Sequence, residues 1–304
     1  MPPVPSTLEE LRRRLDQIDN KLHDLLIERA EVVSRVRESK KLSRNLSPFQ
    51  PAREALIIRR LAGRHRGPLP VATVVRIWRE MLSAALRLQT EFAVAVFAPP
   101  ELPGFWDLAR DHYGSHTPMS ALGSIGQVIR AVAEGSAAVG VLPMPQEGDP
   151  DPWWRHLLSN DQNVPRVIAR LPFGGRGNAR DGAADALAIG RFPEQPTGED
   201  RTLFVAETAA DISRGRFLAI LASLGFSCSF FASFEHSEGA HNLIEVEGFV
   251  PFSDPRLLRL REELGDSLQH LLPFGGYAVP LSPALLTAMA ESEVERGGAG
   301  AAKG

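Results

Sequence analysis

The chain has 304 residues, 43% of them hydrophobic, and a formal net charge of -3. Its length points to two or three domains of roughly 100 to 150 residues, and a charge so near zero excludes a global basic field for holding nucleic acid. A single cysteine, Cys228, excludes an intrachain disulfide framework and a cysteine-built zinc site. The opening "MPPVPSTLEELRRRL" has no apolar run behind a basic end, and no stretch approaches the roughly 18 apolar residues of a membrane span. The expectation is a cytoplasmic chain without leader or anchor.

The first predicted element is a helix. Thr7 and Glu10 stand three residues apart as a capping box. Leu11, Leu15, Ile18, Leu22, Leu25/Leu26, Arg29, Val33, Val36 and Lys40 then step by three or four along one seam. A helix from Leu8 to Lys41 would be about 50 Å long, at about 1.5 Å per residue. That is longer than a 90-residue monomer can cover, so a second copy of the chain is expected against it. "PAREALIIRRL" starts a second helix with Pro51 in its first turn. "VATVVRIWREMLSAALRLQ" gives a third, with Val75, Trp78, Leu82, Ala85 and Gln89 on its seam.

An isolated cation on an oily seam usually sets register or snorkels to water. Here a helical hairpin would let Arg29, Lys40, Arg53, Glu54 and Gln89 converge on one pocket. Three buried cations against one carboxylate cost several kcal/mol per ion unless an anion joins them, on the order of what any unpaired buried charge costs. A ligand with more than one carboxylate would serve, and Arg forks suit it.

These residues carry a resemblance. Over roughly residues 6–92, "LRRRLDQIDNKLHDLLIERAEVVSRVRESK", "PARE" and the closing "LRLQ" resemble the all-helical class of chorismate mutase. The resemblance implies an intertwined dimer that converts chorismate to prephenate in aromatic amino acid biosynthesis, without metal or cofactor. It also implies that Arg12 from the partner chain and Arg29 hold the substrate carboxylates, with Arg53 assisting. Lys40 and Gln89 would donate to the ether oxygen, and Glu54 would accept from the ring hydroxyl. Gln50 stands where relatives can carry an acid and Ala85 where they can carry a serine, which reads as an adjustment of substrate affinity.

From Phe92 the pattern changes to short apolar runs between Gly and Pro. "EFAVAVFAPP" reads as a strand and "SIGQVIRAVAEGSAAVGVLPMP" as helix then strand. Residues 93–198 resemble a shortened prephenate dehydratase domain whose Thr-Arg-Phe catalytic motif falls on Ala184-Asp185-Ala186. That exchange implies an inert module. "LPFGGRGNARDGAAD" reads as a loop, with "FGGRG" a flexible turn and not a phosphate cradle.

Residues 200–281 follow a βαββαβ order, the ferredoxin-like arrangement, and resemble an ACT domain with an aromatic amino acid as possible effector. Gly215-Arg216-Phe217 stands at its ligand turn, and Ala232-Ser233-Phe234-Glu235 at its second motif. Residues 282–304 read as a disordered tail. Trp153-Trp154 read as core, and His236 and His241 as too few ligands for a metal. Two further functions stay open: an active dehydratase beside the mutase, and a non-catalytic regulatory partner of another enzyme.

Overall fold

The computed structural model describes residues 7–42, 47–161, 163–180 and 185–287. Its first element, α1 (Leu8–Leu42), is the long helix expected from the seam. The capping box is in place: the Thr7 amide donates to Glu10 Oε2 at 2.8 Å and the Glu10 amide to Thr7 Oγ1 at 3.2 Å. The seam of α1 lies open, with Leu11, Leu15, Ile18, Leu22, Leu25 and Val36 each between 40% and 59% exposed.

α2 (Pro51–Arg64) opens on Pro51, whose missing N–H costs nothing in a first turn. In α3 (Val71–Arg87), Val71, Val74, Val75, Arg79, Leu82 and Leu86 recur at helical spacing and are all buried. With α8 (Pro283–Thr287), these two helices enclose a core of Ala55, Ile58, Val75, Leu82, Phe173, Leu281 and Leu286. The expected tail thus begins as structure: Leu286 is 9% exposed, held by the same apolar burial that fixes α2 and α3. Residues 288–304 lie outside the described residues.

The middle of the chain forms β1 (Val94–Phe97), α4 (Gly104–Tyr113), β2 (Met119–Leu122), α5 (Ile125–Ala133), β3 (Val139–Pro143), β4 (Arg166–Leu171) and β5 (Ala186–Gly190). The last third forms β6 (Asp200–Ala209), α6 (Arg214–Ser223), β7 (Cys228–His236), β8 (Gly239–Glu247), α7 (Pro255–Leu264) and β9 (Leu268–Ala278). Within it the strand order β9-β6-β8-β7, antiparallel throughout, is the ferredoxin-like arrangement read from the sequence.

The 93–198 and 200–281 regions join in one nine-stranded sheet, ordered β2-β1-β3-β5-β4-β9-β6-β8-β7. The junction is the parallel pairing of β4 and β9 at Val167 and Gly275. Gly275 has φ +104, and a Cβ there would run into the backbone of Val167. Glycine lets the two backbones approach where any side chain would hold them apart. A common core then forms across the seam, in which Val167, Leu187 and Ile189 pack with Leu203, Val205, Leu243 and Phe274. Trp153 and Trp154 are buried in it, as read from the sequence. The opposite face of the last four strands is covered by α6 and α7 through Phe217, Leu221, Leu257 and Leu260.

Candidate functional site

The helical hairpin is held to the sheet by two arginines. Arg59 of α2 donates to Thr197 Oγ1 at 2.7 Å and to the carbonyls of Glu199 and Val279 at 2.6 and 2.7 Å. Arg79 of α3 donates to Glu54 Oε2 of α2 at 3.1 Å, with side chains only 5% and 16% exposed. Its guanidinium lies 5.2 Å from the centre of the Phe173 ring, a cation–π contact that offsets part of its desolvation.

Around this pair the electrostatics favour neutral groups. Burial pushes the Glu54 carboxyl up, against the pull of Arg79. Burial, then the charge of Arg79, pushes the His112 imidazole well below its ordinary value, so the ring is neutral at pH 7. Burial raises Tyr113, whose hydroxyl has no hydrogen-bond partner. The pocket beside Arg79 and His112 continues along Phe173, Glu194, Asp200 and Tyr277.

The residues singled out from the sequence stand on or beside α1, α2 and α3. Arg12 is exposed on α1, among Arg13 and Arg14. Arg29 is half-buried, and that partial burial lowers its pKa. Lys40 falls on α1, but its side chain lies outside the described residues. Arg53 is exposed, while Glu54, the next residue on α2, turns inward to Arg79, because neighbouring helical positions face different ways. Gln50 donates to the Ser47 carbonyl at 3.4 Å. Gln89 donates to the carbonyl of Ala85 at 3.1 Å, while its Oε1 is buried without a partner; Ala85 is 8% exposed.

Arg79 was missed. Its signal was available, since a cation four residues after Val75 in an oily stripe is the same mark that singled out Arg29. A cleft where α1 passes the end of α3 is lined by Arg37, Arg87 and Arg191, with Glu91 beside them. Among the described residues, none of those expected at the site lines it.

Asp185, where the sequence replaces a cation by an anion, is fully engaged. Arg170 Nη2 donates to its Oδ2 at 2.6 Å and Arg176 to its Oδ1 at 3.0 Å. Arg170 also reaches the Tyr277 hydroxyl at 3.4 Å, which donates to Glu245 Oε2 at 2.7 Å. Asp185 therefore begins a hydrogen-bonded chain that crosses the β4–β9 junction. Ala184 lies outside the described residues. The turn read as flexible carries Arg176, which donates to Asp185, and Arg180 just beyond it donates to Asp107 of α4.

Among the described residues no helix is long and apolar enough to cross a membrane. Comparison with known proteins divides the chain. A bifunctional chorismate mutase/prephenate dehydratase of Pseudomonas aeruginosa is 33% identical over 142 residues, covering 45% of this chain and 38% of its own length. The chain thus spans well under half of the curated relatives it matches. Two solved structures align with part of the chain. One is described as GqqA, a novel type of quorum quenching acylases, at 19% identity and TM-score 0.47, covering 64% of this chain and 97% of that one. The other is prephenate dehydratase from Streptococcus mutans, at 16% identity and TM-score 0.45, covering 62% and 98%. Residues 11–90, the helical segment, match the family model described as Chorismate mutase type II.

Proposed function

We propose that the chain is a chorismate mutase that works as an intertwined homodimer through its N-terminal helices. The observation that carries this reading is the seam of α1, where Leu11, Leu15, Ile18, Leu22, Leu25 and Val36 are all exposed although they are leucine, isoleucine and valine. Burying each such side chain against a second copy would contribute roughly 1.5–3 kcal/mol. The same pairing brings the partner subunit's Arg12 towards Arg29, a juxtaposition one chain does not make. The family match over residues 11–90 supports the chemistry.

The reaction is an intramolecular rearrangement, so no nucleophile is needed. Arg12 and Arg29, with Arg53 assisting, hold the substrate's two carboxylates in the compact conformer, which contributes several kcal/mol, by rough analogy with near-attack restraint. Lys40 and Gln89 donate to the ether oxygen as charge grows there, each contributing about 3 to 4 kcal/mol in a dry site. Gln50 and Ala85 line the same pocket and adjust affinity. Glu54 accepts from the ring hydroxyl, with Arg79 orienting its carboxylate. The middle region is inert as a dehydratase, because Asp185 is committed to Arg170 and Arg176. The last third is an ACT-like sensor domain, with an aromatic amino acid as possible effector.

A second reading keeps dehydratase activity, and the similarity to the bifunctional enzyme of Pseudomonas aeruginosa favours it. Purified protein given chorismate tests both. Loss of chorismate absorbance with accumulation of prephenate supports the first; onward conversion to phenylpyruvate supports the second. No loss of chorismate overturns both and leaves a regulatory role.

A further inference from the structure

The register of the last four strands assembles a cluster that their spacing in the sequence conceals. Glu207 on β6 lies directly opposite His241 on β8 and His270 on β9, and the alternation of strands puts all three on one face. His241 pairs in turn with Phe234 on β7, and His236, two residues further on, comes to the same face. This is the face away from α6 and α7, beside the turn that carries Trp153 and Arg155.

The donor atoms converge. His241 Nε2 is 3.6 Å and His236 Nε2 is 4.0 Å from Glu207 Oε1, and one donor atom from each of the three residues falls within 4.8 Å of the others. His270 Nε2 is 4.0 Å from the second oxygen, Oε2, at the exposed rim. Glu207, His236 and His241 have side chains only 19–22% exposed. His236 Nε2 and His241 Nδ1 are buried without a hydrogen-bond partner among the described residues. These distances exceed hydrogen bonds, yet they approach the roughly 3.4 Å that separates neighbouring ligands on a tetrahedral ion with bonds of about 2.0–2.1 Å.

We propose that Glu207, His236 and His241, with His270 completing the set, bind one divalent transition-metal ion of the zinc class. Imidazoles with a single carboxylate suit zinc, nickel or copper and disfavour calcium and magnesium, which prefer oxygen ligands. Loading has one local cost. His236 Nδ1 accepts from the Glu238 amide at 3.3 Å, and ligation through Nε2 moves the ring proton to Nδ1 and gives up that long contact. In return the ion ties together the ends of β6, β7, β8 and β9.

The test uses the full chain without an affinity tag, stripped with chelator and titrated with zinc alone by calorimetry. One ion per chain is expected, with a matching rise in melting temperature and, with cobalt(II), the visible absorption of a tetrahedral site. His241→Ala and Glu207→Gln should each weaken binding by more than about 100-fold, beyond what loss of an outer-shell contact does. His116→Ala, an exposed histidine outside the cluster, should bind as wild type does. Circular dichroism shows that the variants fold, and Glu207→Gln keeps the side chain's shape if His241→Ala does not. Weak uptake at many sites, or wild-type affinity in both cluster variants, would overturn the proposal.

Discussion

Arg79 and Glu54 meet 3.1 Å apart between α3 and α2, in a setting where each is nearly without water. Removing one partner leaves the other buried and unpaired, which costs about 3–5 kcal/mol. Arg79→Met should therefore shift the urea midpoint strongly downward. Adding Glu54→Gln to it should restore part of the loss, because the stranded charge is then gone. If the double variant is no better than the single, the pair is not coupled as described.

Asp107 gives the clearest dependence on pH. Its carboxylate is 4% exposed and accepts from the Arg180 amide and Nε, both at 2.9 Å. Those hydrogen bonds hold its pKa below the ordinary carboxylate value, against the effect of burial. The folded value lies below the unfolded one, so the stabilisation is present above the unfolded pKa of about 3.9 and lost as pH falls through the folded value. Asp107→Asn should cost about 1–3 kcal/mol at pH 7, reduced by the exposure of Arg180. The gap from wild type should close at low pH in acid unfolding curves.

Gly275 is the hinge of the nine-stranded sheet. Gly275→Ala places a Cβ on a left-handed residue and against the Val167 backbone, which should cost at least about 2 kcal/mol. Gly225→Ala, at φ +78 with open space around it, carries only the conformational part. Chemical denaturation of the two should separate the steric from the conformational cost.

The open seam predicts assembly. Leu22, 54% exposed, faces solvent in one chain, so Leu22→Glu should leave α2, α3 and the sheet intact. In the proposed dimer it would bury a charge, and sedimentation should report a monomer. A wild-type chain that sediments as a monomer at micromolar concentration would remove the basis for the pairing.

What could be read from the sequence followed local periodicity. The 3–4 step from Leu11 to Lys40 gave α1 nearly to its ends, and Thr7 with Glu10 gave its start. The βαββαβ order came from long strands such as β6 and β8 between clear helices. α4 was missed because "GFWDLARDHY" follows a Pro-rich stretch and carries polar groups on its buried face, where the hydrogen bonds to Asp107 come from distant Arg180. β2 has four residues, too few to show a period. The β4–β9 junction rests on one glycine and on residues more than 100 apart, which no local pattern records. The same holds for Glu207, which reaches His241 through strand register. At the candidate site the sequence marked which cations sit on oily seams, but not that Glu54 already has Arg79 as its counter-ion.

The central claim is that the mutase site is shared between two copies, with the partner subunit's Arg12 completing a pocket built on Arg29. Arg12→Ala and Arg29→Ala should each lower kcat/KM by about 100-fold or more. Co-expressed, they form mixed dimers in which one of the two sites has both arginines. With random pairing the mixture should recover about a quarter of wild-type activity, as closed two-fold assembly requires. Activity that stays at the level of the single variants would contradict the shared site.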